Sequence, residues 1–276
     1  TTYTFTPDPG QCAEIVTMTV TVNSLPTVSV SATDTEICQG NSTSLTASGA
    51  SSYTWSPSTG LDATTGAIVN ATPPSTTTYT VTGTDGNGCE NTAQVEVTVN
   101  SLPTASITGN AEVCLGDVGP TITFTGANGT APYTFTYNID GGPNQTATST
   151  GDIATVTVPT TTAGTFIYNL VSVEDASSTA CNQVQTGSVT VTVNSLPIVL
   201  ASADDSEICE GSSTTLTASG ATDYVWSPSA GLSSTTGASV TANPTVTTIY
   251  TVTGTDINGC ENTAQVEVTV NPLPTA

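Results

Sequence analysis

The sequence has no lysine, no arginine and no histidine, against 22 aspartates and glutamates, for a formal charge of −22. Without cationic side chains no counterions are released from a phosphate backbone, which argues against nucleic acid as a partner. Attraction to an anionic membrane surface fails for the same reason. No apolar run is long enough to span a bilayer, so no membrane insertion is expected. Side-chain ion pairs cannot form within the chain, and stability must come from burial, backbone hydrogen bonds and cross-links. Lysine–asparagine staples are excluded, and a trypsin-like protease finds no site. Serine and threonine are plentiful but have no histidine or lysine to activate them. The carboxylates likewise lack a basic neighbour for acid–base work, so no enzyme is expected. There is no initiator methionine and no signal-peptide pattern. The chain opens at Thr1 inside a strand-like run and reads as an excerpt or a processed product.

What is there is threonine, valine, serine and glycine, in short alternating runs that suit pleated strands and tight turns. Internal repetition is the strongest signal. NSLPTVSVSATDTEICQGNSTSLTASGASSYTWSPSTGLD from Asn23 is nearly repeated by NSLPIVLASADDSEICEGSSTTLTASGATDYVWSPSAGLS from Asn194. The offset holds for Cys38/Cys209, Trp55/Trp226, Tyr79/Tyr250 and Cys89/Cys260, and ENTAQVEVTVN occurs from Glu90 and from Glu261. Leu-Pro pairs ending at Pro26, Pro103, Pro197 and Pro274 mark short linkers. The expected organisation is a closing part of a truncated repeat at 1–25, repeats at 26–102 and 197–273, a longer divergent repeat at 103–196, and the start of another at 274–276.

In the first full repeat, Val28/Val30, Leu45/Ala47, Tyr53/Trp55, Ile68/Val69, Tyr79/Val81 and Val95/Val97/Val99 mark successive strands. Asp85-Gly86-Asn87-Gly88 before the last run is a hairpin signal, because glycine and asparagine tolerate positive φ. Seven short strands with frequent turns describe a β-sandwich.

Seven cysteines are present, an odd number. Spacing suggests one pair per repeat: Cys38–Cys89, Cys114–Cys181 and Cys209–Cys260. Cys12 is left over, its partner lying in the missing half of its own repeat. A rival register, 12–38, 89–114 and 181–209, would join neighbouring repeats. It is disfavoured because the strand from Cys89 to Pro103 carries the chain roughly 45 Å away. Zinc is disfavoured by the lack of histidine and of any C-x-x-C, and disulfides imply an oxidising compartment.

E-I-C-x-G-x-S/T-x-x-L-T-A-S-G-A, Y-x-W-S-P from Tyr53 to Pro57, and T-x-Y-T-V-T-G-T-D-x-N-G-C ending at Cys89 together resemble the Ig-like and PKD-like repeats of giant cell-surface adhesins of gliding-type bacteria. Those adhesins typically use the type IX secretion route. The resemblance covers both short repeats end to end and the middle repeat more loosely. Where the PKD pattern follows its tryptophan strand with Gly-Asp-Gly, this chain has Ser-Pro-Ser-Thr-Gly, so no role of that turn carries over. The implied fold is all-β: tandem immunoglobulin-like (PKD-like) antiparallel sandwiches with one disulfide per repeat. The implied setting is extracellular, at the cell surface.

If Cys38 bonded Cys89, Asp34, Glu36, Asp85 and Glu90 would be drawn together, and Asp205, Glu207, Asp256 and Glu261 would repeat the arrangement beside Glu210. Several oxygen ligands on a chain without cations suggest weak calcium binding, against a plain solvated acidic rim. The full calcium-loop motif is absent. Trp55 and Trp226, with Tyr53 and Tyr224 two residues before them on the same strand face, are expected in the sandwich core, with glycan stacking as the alternative. Asn41, Asn70, Asn128 and Asn144 lie in N-x-S/T triplets.

The leading functional expectation is a structural spacer or stalk in a large repeat adhesin, or an extracellular filament. Its partners would be neighbouring repeats of the same long chain and possible other copies. The alternatives are a glycan- or protein-binding module, with the insertion at Asp140-Gly141-Gly142-Pro143-Asn144 as its loop, and an accessory region of a secreted polysaccharide hydrolase.

Overall fold

The computed structural model describes residues 1–274, so Thr275 and Ala276 of the expected further repeat lie outside the described residues. All regular structure among the described residues is β. A hairpin opens the chain, β1 (Thr2–Phe5) against β2 (Val16–Thr19). Seven strands follow: β3 (Ser29–Ala32), β4 (Glu36–Cys38), β5 (Thr43–Ser48), β6 (Ser52–Ser56), β7 (Ile68–Ala71), β8 (Thr77–Thr84) and β9 (Glu90–Asn100). They form a three-stranded sheet, β3-β5-β7, and a four-stranded sheet, β4-β9-β8-β6.

Nine strands come next: β10 (Thr104–Thr108), β11 (Ala111–Cys114), β12 (Thr121–Ala127), β13 (Thr134–Ile139), β14 (Gln145–Thr148), β15 (Ile153–Thr157), β16 (Gly164–Glu174), β17 (Asn182–Val184) and β18 (Ser188–Asn194). The sheets here are β10-β12-β15 and β11-β18-β16-β13-β14, with β17 on β16. The last seven are β19 (Leu200–Ala203), β20 (Glu207–Cys209), β21 (Thr214–Ser219), β22 (Asp223–Ser227), β23 (Ser239–Ala242), β24 (Thr248–Thr255) and β25 (Glu261–Asn271). They repeat the first pattern as β19-β21-β23 and β20-β25-β24-β22.

The chain divides into two compact units. One comprises Thr1–Thr104, Gly126–Tyr133 and Val173–Gln183; the other comprises Ala105–Thr125, Thr134–Ser172 and Val184–Ala276. In the first, alternation buries Leu45, Val69, Val81 and Val97 around Trp55 and Tyr79. In the second, Leu216, Val240, Val252 and Val268 surround Trp226 and Tyr250 in the same way. Burying side chains of this size stabilises by about 1.5–3 kcal/mol each. The second unit also holds a run of rings without tryptophan: Phe124 lies 5.5 Å from Phe135 and 5.2 Å from Tyr137, which lies 6.2 Å from Tyr168.

The tryptophans are core residues, 4% and 1% exposed. Their indole N–H groups are satisfied by the carbonyls of Gly66 at 2.9 Å and Gly237 at 3.0 Å. Tyrosine hydroxyls lock the turns that lead into the tryptophan strands. Tyr53 accepts from the Ala50 amide and donates to its carbonyl, and Tyr224 does the same with Ala221. Burial raises the pKa of Tyr79 and Tyr250 above 10, and each hydroxyl donates to a carbonyl, Thr59 and Ala230, at 2.7 Å.

The linker prolines are fixed parts of the sandwiches. Pro26, Pro103 and Pro197 are buried. The Asn91 amide donates to the Pro26 carbonyl at 2.9 Å, and Asn262 does the same for Pro197. The opening hairpin is different. Tyr3 pairs with Met18 and Phe5 with Val16, making an apolar face on which all four side chains are exposed.

Candidate functional site

The feature most in need of a functional account is where the sulfurs meet. β4 is three residues long and pairs in parallel with the end of β9, placing Cys38 opposite Asn100. Parallel pairing is forced by direction: the chain leaves β3, crosses to the other sheet, and runs beside the last strand towards the same pole. Cys114 lies opposite Asn194 by the same pairing of β11 with β18, and Cys209 opposite Asn271 by that of β20 with β25. Cys89 sits at the other pole, after the turn from β8 into β9, where Asp85 accepts from the amides of Asn87 and Cys89 at 2.8 and 2.9 Å. The eleven-residue β9 separates the two poles by roughly 30 Å.

The expected pairs Cys38–Cys89, Cys114–Cys181 and Cys209–Cys260 are therefore corrected. Cys38 bonds Cys181, with Cα atoms 5.6 Å apart, and Cys114 bonds Cys260, at 5.5 Å. Cys12, Cys89 and Cys209 are free thiols. The expectation of one disulfide within each repeat fails for a physical reason: the strand that keeps Cys89 far from Cys114 keeps it equally far from Cys38. In both bonds a strand-end cysteine joins a hairpin cysteine from the repeat that follows it in sequence.

The first junction is closely built. Cys181 follows a loop capped by Asp175, which is 4% exposed. One carboxylate oxygen accepts from the Ser177 hydroxyl at 2.6 Å and the Cys181 amide at 2.9 Å, the other from the Thr130 amide at 3.0 Å. Burial alone would raise this carboxyl, but the hydrogen bonds from Ser177, Thr130 and Cys181 outweigh it and hold the pKa below 3.8. The Thr179 hydroxyl lies 3.4 Å from the Cys38 sulfur and 3.2 Å from that of Cys181, and accepts from the Asn100 amide at 3.0 Å. Ser178 donates to the Glu36 carboxylate.

The expected calcium ligands do not converge. Glu36 stands opposite Thr98 and Glu90 opposite Thr84, so Asp34 and Glu36 lie at one pole of the sandwich and Asp85 and Glu90 at the other. Asp205 and Glu207 are separated from Asp256 and Glu261 in the same way. Among the described residues no group of three or more His, Cys, Asp or Glu is gathered to hold a metal ion. The Asp85 carboxyl is held below 3.8 chiefly by the Cys89 amide, as a turn cap. Asp140-Gly141, both at positive φ, turn β13 into β14, so the insertion of the middle repeat is an extra edge strand. No signal in the sequence pointed to Asn100 or Thr179, whose roles depend on the non-local strand β4, or to Asp175, which caps the loop before Cys181.

The fold and its junctions define a tandem Ig-like β-sandwich protein. Residues 196–272 match the family model described as "Ig-like domain CHU_C associated". No curated relative matches the chain. Among solved structures, the I-band fragment I67-I69 from titin aligns at 12% identity over 91% of this chain and 100% of that one, with a TM-score of 0.56. An E-to-A variant of the same three titin domains aligns at 11% identity, over 91% and 100%, with a TM-score of 0.53. This likeness shows the fold. No helix among the described residues is long and apolar enough to cross a membrane.

Proposed function

We propose that the chain is a load-bearing spacer. In this reading its sandwiches, at 26–102, 103–196 and 197–273, hold another part of an extracellular surface adhesin or filament away from a cell. The observation that carries it is the overlap of two covalent loops. Cys38–Cys181 closes 38–181 and Cys114–Cys260 closes 114–260, so every residue from 38 to 260 lies inside at least one loop. Tension on the ends is then borne by a short covalent path even when sandwiches open. Buried, hydrogen-bonded prolines at the linkers support limited bending. High negative charge keeps neighbouring copies apart and soluble. Disulfides persist in oxidising compartments, which supports an extracellular location. The motif-level resemblance to repeats of large adhesins of gliding-type bacteria supports export by the type IX route.

Single-molecule stretching from the termini tests this. The shortest covalent path through both disulfides is about 120 residues, or roughly 430 Å, against roughly 950 Å for the reduced chain. An oxidised chain is expected to stop extending at less than half the reduced contour. Equal contours would overturn the reading.

A second reading, a glycan-binding module, is favoured by one observation. A cleft beside the extra hairpin is lined by Ile139, Asp140, Thr162, Phe166 and Tyr168. Retention on a glycan array, lost on Asp140→Ala, would support it over the spacer.

A further inference from the structure

A free cysteine is by itself no site. Cys89 and Cys209 differ, because each occupies a backbone setting whose other copies in this chain are already cross-linked. The hairpin setting occurs three times. Asp85, Asp175 and Asp256 each accept from the amide of the cysteine that follows, at 2.9, 2.9 and 2.8 Å. Each also donates its own amide to that cysteine's carbonyl, at 3.0, 3.0 and 2.9 Å. Two of these cysteines, Cys181 and Cys260, are bonded; Cys89 is not. The strand-end setting also occurs three times. Cys38, Cys114 and Cys209 lie opposite Asn100, Asn194 and Asn271, whose carbonyls accept from Gln39, Leu115 and Glu210 at 2.8, 2.8 and 2.9 Å. Here Cys38 and Cys114 are bonded and Cys209 is free.

We infer that Cys209 and Cys89 are the two open halves of the same clasp, each built to take the complementary half on an adjoining Ig-like repeat. For Cys209 the occupant is an aspartate-capped hairpin cysteine of the Cys89 type, on a repeat following 197–273. For Cys89 it is a strand-end cysteine opposite an asparagine, on a repeat preceding 26–102. Asn271 and Glu207 present at the open end what Asn100 and Glu36 present at the closed one. Closure is a two-electron oxidation with a small-molecule disulfide as oxidant. One protein thiolate attacks the disulfide and releases one small thiol. The second protein thiolate then attacks the mixed disulfide and releases the other, leaving one new protein S–S bond and two small thiols. The inference extends the spacer reading, and its test reads bond identity rather than extension, so either can fail alone.

The test is a chain extended after Pro274 by a second copy of residues 27–103, with Cys12→Ser and Cys89→Ser in the original part. The appended copy's Cys89 is then the unique peptide of its kind. The protein is oxidised in glutathione buffer, free thiols are alkylated, and a protease cutting at aspartate and glutamate releases each cysteine type in a separate peptide. Mass spectrometry is expected to find the Cys209 peptide linked to the appended copy's Cys89 peptide, alongside Cys38–Cys181 and Cys114–Cys260. The inference is overturned if the appended Cys89 peptide is joined to a Cys38 peptide, or if it and the Cys209 peptide are recovered alkylated. Loss of the two existing linkages would overturn the clasp itself.

Discussion

At the scale of single residues, close packing and hydrogen-bond capping carry more than charge does. Gly83 faces Tyr53 across the sheet, and a β-carbon there would stand 2.7 Å from a Val28 methyl and 2.8 Å from Ala50. Gly83→Ala is expected to destabilise by about 1–3 kcal/mol through overpacking, read as a lower midpoint in urea. Asp175 makes a different case. Its folded-state pKa lies below 3.8, so the stability it contributes is complete above the unfolded value and is lost as pH falls through the lower, folded one. Unfolding free energy of the native chain is therefore expected to fall below about pH 4 more steeply than that of Asp175→Asn. The variant should already be weaker at neutral pH by about 1–3 kcal/mol, because its amide cannot accept from Ser177, Cys181 and Thr130 together. Matching pH profiles of the two proteins would refute the assignment.

At the scale of elements, the alternating strands were legible and the short crossing strand was not. Val95, Val97 and Val99 announce β9, Asp85 to Gly88 announce the turn before it, and Tyr53 and Trp55 announce β6, because one-sided burial imposes a period of two. Glu36–Cys38 offers three residues with no alternation, and its partner lies some sixty positions downstream in parallel register. Nothing local specifies that pairing. The error in the cysteine pairing follows from it. A constant spacing between Cys38 and Cys89, repeated by Cys209 and Cys260, is what any two positions of a repeat must show. It reports periodicity, not proximity. The odd cysteine count did not decide the matter, because pairing within repeats and pairing between neighbours each leave one of the seven over. The opening hairpin, legible as strands, exposes Tyr3, Phe5, Val16 and Met18, and an isolated two-stranded hairpin is marginal in water. Its amides at Thr2–Phe5 and Val16–Thr19 are expected to exchange with deuterium within seconds to minutes. Those of β8 and β9, between a buried core and two neighbouring strands, should be protected by orders of magnitude more.

At the scale of the whole molecule, the two covalent loops make a chain that survives a break. On a chain-entropy argument each loop, with cysteines 143 and 146 positions apart, restricts the unfolded state by about 5 kcal/mol. The overlap adds a property that energy alone does not describe. A cut near Ala63 lies inside the first loop only, one near Asp152 inside both, and one near Ser234 inside the second only; all three positions are exposed. With a protease recognition sequence inserted at each in turn, the cleaved native chain is expected to migrate as one piece without reductant and as two with it. Cys38→Ser should release the fragments after the first cut and not after the third, and Cys114→Ser the reverse. The middle cut should release nothing until both cysteines are replaced, because either bond alone bridges it. Disulfides closed within single repeats give a different map. The chain would separate at the cut near Asp152 once the bond of the middle repeat alone was removed, and Cys114→Ser would leave the cut near Ser234 held. In the proposed spacer role outside the cell, the overlapping arrangement would give a continuity under proteolysis that isolated loops cannot, and the position-by-position release map distinguishes the two.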